Sequence, residues 1–216
     1  MTRSTRRWAV GLPVILLGAA GLTAISMGAG GASSACLEKN QAKASLQDAE
    51  GNKVGRVVFG VHSTCATQMS ASARGLTAGF HGLHVHTTGT CDPAATDPNG
   101  NPSAFFTAGG HWSKETADHG SHTGDLPPLL VMEQGNTKAW SLTDRFQVRD
   151  LFDEDGSAVI AHAGPDNLAN VPAKTTTGAD RYHSHAYDTF GPDEDTRKTG
   201  DAGARFACGV VQKIKR

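Results

Sequence analysis

The chain has 216 residues and a formal net charge of -1, with 20 lysines and arginines against 21 aspartates and glutamates. Because basic residues are not in excess, charge alone favours neither nucleic acid nor an anionic membrane surface as a partner. Twenty-six glycines, nine prolines and only 6% aromatic residues are typical of short strands joined by turns rather than of long helices. One domain preceded by a leader is the expectation for this length.

Residues 1–35 have the features of a secretory signal peptide. Three arginines precede a mostly apolar run over 8–27, and Ser33 and Ala35 are the small residues wanted before a cleavage site. Two alternatives stay open: a lipoprotein leader acylated on Cys36, and an uncleaved membrane anchor. The protein is therefore expected to be exported, as a secreted, periplasmic or cell-envelope protein. Membrane association is expected only if the leader is retained or Cys36 is acylated.

Cleavage would leave a domain of residues 36–216 in an oxidising compartment. All four cysteines of the chain lie within that domain, at Cys36, Cys65, Cys91 and Cys208. Because disulfides persist outside the cytoplasm, two disulfides can form.

The domain is predicted to be all-β. The polar segment 48–53 lies between two strand-like stretches, which is a hairpin signature. The strand-like stretches, each bounded by glycine, proline or aspartate, are Ala42–Gln47, Val54–Val61, Met69–Gly75, Leu83–Thr87, Leu129–Glu133, Ala139–Leu142, Ala158–Ala163 and Ala207–Lys213. Eight short strands predict a sandwich or a barrel. The long segments 88–128, 143–156 and 164–205 between them are expected to carry the function.

Histidines are concentrated at two adjoining places. His84 and His86 are two residues apart on a predicted strand, so both imidazoles face the same side and can chelate one ion. The loop that follows contains three histidines and an aspartate within 15 residues, a full shell for zinc: His111, His119, His122 and Asp125. A set rich in nitrogen and free of thiolate also suits copper(II). A lone histidine is more often structural than a ligand, but this spacing favours ligands.

Five motifs in this order resemble the signatures of copper/zinc superoxide dismutases. They are GFHGLHVH at 79–86, AGGH at 108–111, GDL at 124–126, VIAHAG at 159–164 and GARFACGV at 203–210. The resemblance runs from about Ala44 to Val211 and implies an eight-stranded antiparallel Greek-key β-barrel or sandwich with long metal-binding and late loops. It also implies that the chain disproportionates superoxide to oxygen and hydrogen peroxide, protecting against extracellular superoxide.

The resemblance assigns each metal its ligands. Copper would be held by His84, His86, His111 and His162, and zinc by His111, His119, His122 and Asp125. His111 would bridge the two metals and carry a proton during catalysis. Arg205 would be the second catalytic residue, attracting and orienting superoxide beside copper.

Three further roles follow from the same resemblance. Asp166 would link His84 to His119 and so orient both rings. Cys91 and Cys208 would form a disulfide between the ligand loop and the last strand. His81 would be a structural histidine.

The two remaining cysteines are predicted to pair from the hairpin register. If Asp48 faces Lys53, residue numbers on opposing positions add to 101, and Cys36 and Cys65 satisfy the same relation. A disulfide between them would tether the mature N-terminus, and it conflicts with acylation of Cys36.

The segment 170–201 departs from the family by its greater length, and its effect on substrate access is left open. It resembles exported actinobacterial members, some of whose relatives function without zinc, but all four zinc-ligand positions are filled here. His62, His183 and His185 match no family role and are interpreted as exposed or structural. An auxiliary copper-capturing role of 182–185 is kept as an alternative.

Family analogy favours a homodimer, although bacterial members pair in different ways and some are monomers. Two other functions are alternatives: a copper chaperone or store on the same fold, and a structural or adhesive β-sandwich domain. The first usually lacks a copper ligand or the arginine, both of which are present here, and the second has no need of a histidine cluster.

Overall fold

The computed structural model describes residues 41–215. Its strands and single α-helix are β1 (Ala42–Gln47), β2 (Lys53–Val61), β3 (Thr67–Arg74), β4 (Gly79–His81), β5 (Leu83–His86), β6 (Leu129–Val131), β7 (Asn136–Thr143), β8 (Ala158–His162), β9 (His183–Ser184), β10 (Thr189–Phe190), α1 (Glu194–Thr199) and β11 (Arg205–Lys213). All eight predicted strands are present. The short strands β4, β9 and β10 and the helix α1 were not predicted.

Seven strands form one sheet in the order β5-β8-β11-β1-β2-β3-β7, with neighbours antiparallel. The last strand, β11, lies between β1 and β8, so the order departs from the chain order as in a Greek key. Strand β4 pairs with β6, and β9 pairs with β10. The predicted all-β Greek-key fold is confirmed.

Strands β1 and β3 alternate buried with more exposed side chains because one face of the sheet covers the core. In β1 the alternation is strict, and in β3 it holds for most of the strand. Phe59 of β2 lies inside the core and packs edge-on against Phe146, with ring centroids 5.9 Å apart. Phe146 comes from the loop after β7, so this loop helps to fill the core.

The register of β1 and β2 agrees with the prediction along most of the pair. Ala42 lies opposite Phe59 and Leu46 opposite Gly55, so the residue numbers add to 101 at both places. At the turn the prediction was wrong: a register shift after Leu46 places Gln47, and not Asp48, opposite Lys53. The shift is a β-bulge, which adds one residue on one strand and which sequence alternation does not reveal.

Within residues 41–215, no helix is long and apolar enough to cross a membrane. The leader predicted at 1–35, with its lipoprotein and anchor alternatives, lies outside the described residues.

Candidate metal centre

Two adjacent strands bring three histidines together. β5 pairs with β8, with His84 opposite Ile160 and His86 opposite Ala158, and His162 ends β8. All residues of both strands are buried, and the His162 ring centroid lies 4.8 Å from that of His84 and 5.7 Å from that of His86. The strand geometry therefore supplies a rigid group of three imidazoles.

The loop after β5 returns alongside this strand and adds a fourth imidazole. Isolated β-bridges join His86 to His111 and His84 to Asp125. The close approach needs glycine at Gly124, since a Cβ there would lie 2.6 Å from the carbonyl oxygen of Val85. As a result, the ring centroid of His111 lies 3.9 Å from that of His84.

Three of these buried histidines have one ring nitrogen bonded and the other without a partner. The bonded nitrogens are His84 Nε2 with Asp166 at 2.6 Å, His86 Nδ1 with the Gly109 carbonyl at 2.9 Å, and His162 Nδ1 with the Gly203 carbonyl at 3.0 Å. The partnerless nitrogens are His84 Nδ1, His86 Nε2 and His162 Nε2. A buried polar atom without a partner is costly, so three of them in one place indicate an ion-binding site.

The donor set of this group fits copper. One ligand atom from each of His84, His86, His111 and His162 lies within 4.8 Å of the others, and four imidazoles without thiolate suit copper(II). Burial lowers the pKa of His162 to about 3 and that of His111 to about 4. Both rings are therefore neutral near pH 7, as metal ligands must be.

A second group of donors is arranged around Asp125. One carboxylate oxygen lies 3.0 Å from His111 Nδ1 and 3.4 Å from His119 Nδ1, and the other lies 3.3 Å from His122 Nδ1. All four predicted zinc ligands thus meet at one carboxylate, a donor set that fits zinc. The ligand atoms of His84, His111, His119 and Asp125 also lie within 4.8 Å of one another.

Ionisation differs between the two groups. Burial alone would lower the pKa of His119, but hydrogen bonds with Asp125 and Asp166 outweigh it and raise the pKa to about 9. Burial opposes ionisation of Asp125, yet the hydrogen bonds from His111 and His119 hold the pKa of its carboxyl well below the usual range. In the metal-free protein His119 is therefore a cation next to carboxylates near neutral pH.

Asp166 connects the two groups from outside. Its Oδ2 accepts from His84 Nε2 at 2.6 Å, and its Oδ1 lies 2.8 Å from His119 Nε2. The backbone amide of Leu168 also donates to Oδ1, at 2.6 Å. One carboxylate thus orients one ring of each group, the arrangement expected from the sequence.

Arg145 is a positioning residue that the sequence did not reveal. Its guanidinium donates to the carbonyls of Gly120 at 2.9 Å and His122 at 3.0 Å, while the amides of the same two residues donate to Asp125. Arg145, Gly120 and Asp125 line a cleft of about 330 Å³ together with His119. Arg145 is 20 residues beyond Asp125 in a different loop, so no local motif marks it.

Arg205 lies next to the copper-type group. It is opposite His162 in the pairing of β11 with β8, and its guanidinium donates to the carbonyls of Phe105 at 2.5 Å and Gly109 at 2.6 Å. The Gly109 carbonyl also accepts from His86 Nδ1. Burial lowers the pKa of Arg205, but a guanidinium remains charged in proteins.

The structure contains the Cys91–Cys208 disulfide, which links residues 117 apart in the sequence. Cys208 follows Arg205 on β11, and Cys91 belongs to the loop that supplies the two carbonyls bound by Arg205. Cys65 is not a free thiol. Its predicted partner, Cys36, lies outside the described residues, so the Cys36–Cys65 pair stays a prediction.

The remaining histidines lie apart from the two groups. His81 is buried, and both of its ring nitrogens contact backbone carbonyls at 2.9 Å, those of His162 and Thr77. Neither nitrogen is left for a metal, in keeping with the structural role expected. His62 contacts Thr64, and His183 and His185 lie near each other on the late segment.

The late segment holds a zinc-ligand candidate in place. The amide of His119 donates to the carbonyl of Arg197 in α1 at 2.6 Å. Gly200 caps this helix with a positive φ of 63°, and a Cβ there would lie 2.2 Å from His119 Nε2. The segment that departs from the family in length therefore packs directly on His119.

Comparisons with known proteins agree with this geometry. A family model described as copper/zinc superoxide dismutase matches residues 53–211. A superoxide dismutase (Cu-Zn) of Mycolicibacterium paratuberculosis is 40% identical over 169 residues, covering 77% of this chain and 71% of the relative. One from Mycobacterium tuberculosis is 39% identical over 170 residues, covering 77% and 68%.

A solved structure, the Cu/Zn superoxide dismutase from Brucella abortus, superposes with a TM-score of 0.59 at 22% identity. It covers 80% of this chain and 99% of that chain. At this identity the likeness concerns the fold alone.

Proposed function

The chain belongs to the copper/zinc superoxide dismutase family, and we propose that the two donor groups joined by His111 are the copper and zinc sites at which it disproportionates superoxide. The protein is an oxidoreductase with copper and zinc as cofactors. The proposal for the sites is carried by the three buried, partnerless nitrogens of His84, His86 and His162.

When bound, the metals would supply the chemistry that the side chains lack: copper would take one electron from one superoxide and give it to a second, and zinc, which is redox-silent, would hold the shared imidazole. The overall reaction converts two superoxide ions and two protons to oxygen and hydrogen peroxide. His84, His86, His111 and His162 would hold copper, and His111, His119, His122 and Asp125 would hold zinc.

His111 is suited to carry one of the two protons. Its Nδ1 faces Asp125 at 3.0 Å, while its Nε2 makes no hydrogen bond within residues 41–215. Its Nε2 is therefore the nitrogen of this ring at which a proton could be taken up and given back. In the metal-free protein the contact with Asp125 already turns Nδ1 towards the zinc group, and zinc bound there would hold the ring in that orientation.

Arg205 would attract and orient the substrate anion. Two of its donors are used by the carbonyls of Phe105 and Gly109, which fixes the guanidinium next to the His162 position on β8. A fixed positive charge near a buried site raises the local concentration of a small anion.

We also propose that the protein is exported from the cytoplasm. The Cys91–Cys208 disulfide persists in an oxidising compartment, and residues 1–35 have the pattern of a leader. Membrane association through a retained leader or an acylated Cys36 stays a prediction. Mass spectrometry of the mature N-terminus distinguishes cleavage, acylation and retention.

Self-association into a homodimer is also proposed rather than observed. Phe80 of β4 pairs with Leu130 of β6, and both side chains are exposed, as is the nearby Met132. This apolar area supports pairing of two copies. Sedimentation equilibrium measures the subunit count directly.

The function is tested by superoxide decay with the protein loaded with copper and zinc. The expected result is fast decay at near-stoichiometric copper that is lost in His86→Ala and kept in His62→Ala, since the His62 ring contacts Thr64 and Trp140 and lies outside both donor groups. Slow decay despite bound copper would contradict the dismutase assignment and favour copper handling.

A further inference from the structure

The hairpin β9–β10 carries two histidines and an aspartate that the dismutase site does not use. His183 and His185 have ring centroids 4.8 Å apart, and His183 Nε2 lies 3.0 Å from a carboxylate oxygen of Asp188. We propose that these three side chains, once the His185 ring turns towards the other two, form a second copper(II) site, open to solvent and separate from the buried groups. Its role would be to capture copper outside the dismutase centre.

The backbone of this hairpin is well held. Ser184 pairs with Thr189 and His183 with Phe190. The Ser184 hydroxyl donates to the carboxylate of Asp193 at 2.6 Å, and Asp193 is the N-cap of α1. A copper ion bound here would therefore be supported by a fixed turn, which reduces the ordering cost of binding.

The side chains are available to a metal. His183 is only partly exposed and packs on Phe190, with ring centroids 4.7 Å apart, whereas His185 and Asp188 are exposed. The ring of His185 makes no hydrogen bond within residues 41–215. It can therefore rotate towards the His183–Asp188 pair without breaking a polar contact.

The donor set favours copper(II) over other divalent ions. Two imidazoles and one carboxylate suit both zinc and copper, but at a given site copper(II) binds more tightly than zinc. The exposed position leaves room for water to complete a tetragonal shell. Asp193 and Asp195 at the start of α1 add negative charge, and Tyr187 on the same turn donates to Asp195 at 3.2 Å, whereas Glu194 pairs with Lys198.

The position of the site suggests a reason for it. The hairpin leads directly into α1, whose Arg197 carbonyl accepts the amide of His119. Copper captured on the hairpin is thus held on the same segment that packs on the buried centre. The longer late segment would serve copper acquisition in addition to covering His119.

The test is a copper titration of the full chain whose buried sites already hold copper and zinc. The expected result is one further equivalent of copper(II), with a paramagnetic resonance spectrum showing imidazole nitrogen coupling. We expect His185→Ala to remove this equivalent and Asp188→Asn to weaken its binding. Asparagine tolerates the positive φ of 48° at position 188, so the turn is kept.

His62→Ala is the matched control, because His62 belongs neither to the buried donor groups nor to the hairpin site. This variant should still bind the additional equivalent of copper(II). Dismutase activity should be unchanged in all three variants. The proposal is overturned if the wild-type protein binds no further copper, if His185→Ala binds as much as the wild type, or if equimolar zinc prevents the binding.

Discussion

The carboxylate of Asp166 lies 2.8 Å from Nε2 of His119, a residue 47 positions earlier in the chain. The same carboxylate accepts from His84 at 2.6 Å, so one side chain fixes the orientation of a zinc-ligand candidate and of a copper-ligand candidate. Coupling of this kind makes the two sites depend on a residue that touches neither metal.

Replacing Asp166 by asparagine should weaken zinc binding by about 10- to 100-fold, the usual cost of losing an orienting partner. An amide replaces one carboxylate oxygen by an NH2 donor, so it cannot present a separate acceptor oxygen to each ring. The measurement is competition with a zinc chelator. Asp153→Asn, in an exposed turn of another loop, is the control, and equal zinc affinity in the two variants would refute the orienting role.

Zinc affinity of the metal-free protein should rise with pH. His119 has a pKa raised to about 9, so it is protonated at pH 7 and loses its proton as the pH rises through 9. Zinc must displace that proton, and the apparent affinity should therefore increase by about tenfold per pH unit from about pH 7 to 9. The copper ligands His162 and His111, with pKa values of about 3 and 4, should add no such slope over this range.

Chelator competition at pH 7, 8 and 9 measures this slope. Asp166→Asn should flatten it, because hydrogen bonding with Asp166 contributes to the raised pKa of His119. A zinc affinity that does not change with pH in the unmodified protein would count against the protonated state of His119.

Arg145→Lys should speed zinc release by about tenfold without altering copper retention, in line with the loss expected for an outer partner of a metal site. Lysine keeps the charge but cannot donate to the carbonyls of Gly120 and His122 together, as the guanidinium does. The rate of zinc transfer to excess chelator is the measurement. Arg56→Lys, on the exposed side of β2, should release zinc at the normal rate.

Arg205→Ala should lower the rate of superoxide decay by about tenfold or more and reduce its dependence on salt, because the steering charge is removed. Arg205→Lys should retain the salt dependence but recover only part of the rate, since the paired contacts with Phe105 and Gly109 are lost. Decay rates across a range of ionic strength test this. A steep salt dependence of the decay rate in Arg205→Ala would show that other charges steer the substrate. Arg56→Ala is the control variant for this measurement.

Replacing both Cys91 and Cys208 by serine should destabilise the protein by about 4 to 5 kcal/mol, the value of the chain-entropy model for a loop of this size. The link spans 117 residues. Denaturant unfolding of oxidised, reduced and substituted protein measures the change. Activity should fall as well, because the loop that supplies the carbonyls for Arg205 loses its attachment to β11; full activity in the substituted protein would show that the hydrogen bonds alone hold the loop.

Much of the fold was predictable because long strands leave a pattern. The alternation in β1 and the apolar run of β8 are local properties, and all eight strands predicted from such patterns are present. Strands β9 and β10 have two residues each, too few to show a period. The bulge after Leu46 was not predicted either. Which residue is left unpaired becomes visible only when β1 and β2 are aligned with each other.

The sequence by itself determined the all-β class, the pair His84 and His86 on one face of a strand, and, through the family motifs, the ligand sets. Only the tertiary structure decided which nitrogen of each ring is left for a metal. That choice depends on acceptors distant in the chain, the carbonyl of Gly109 for His86, that of Gly203 for His162 and the carboxylate of Asp166 for His84. An imidazole has two nearly equivalent nitrogens, so its hydrogen-bond partner and not its place in the sequence sets the free one.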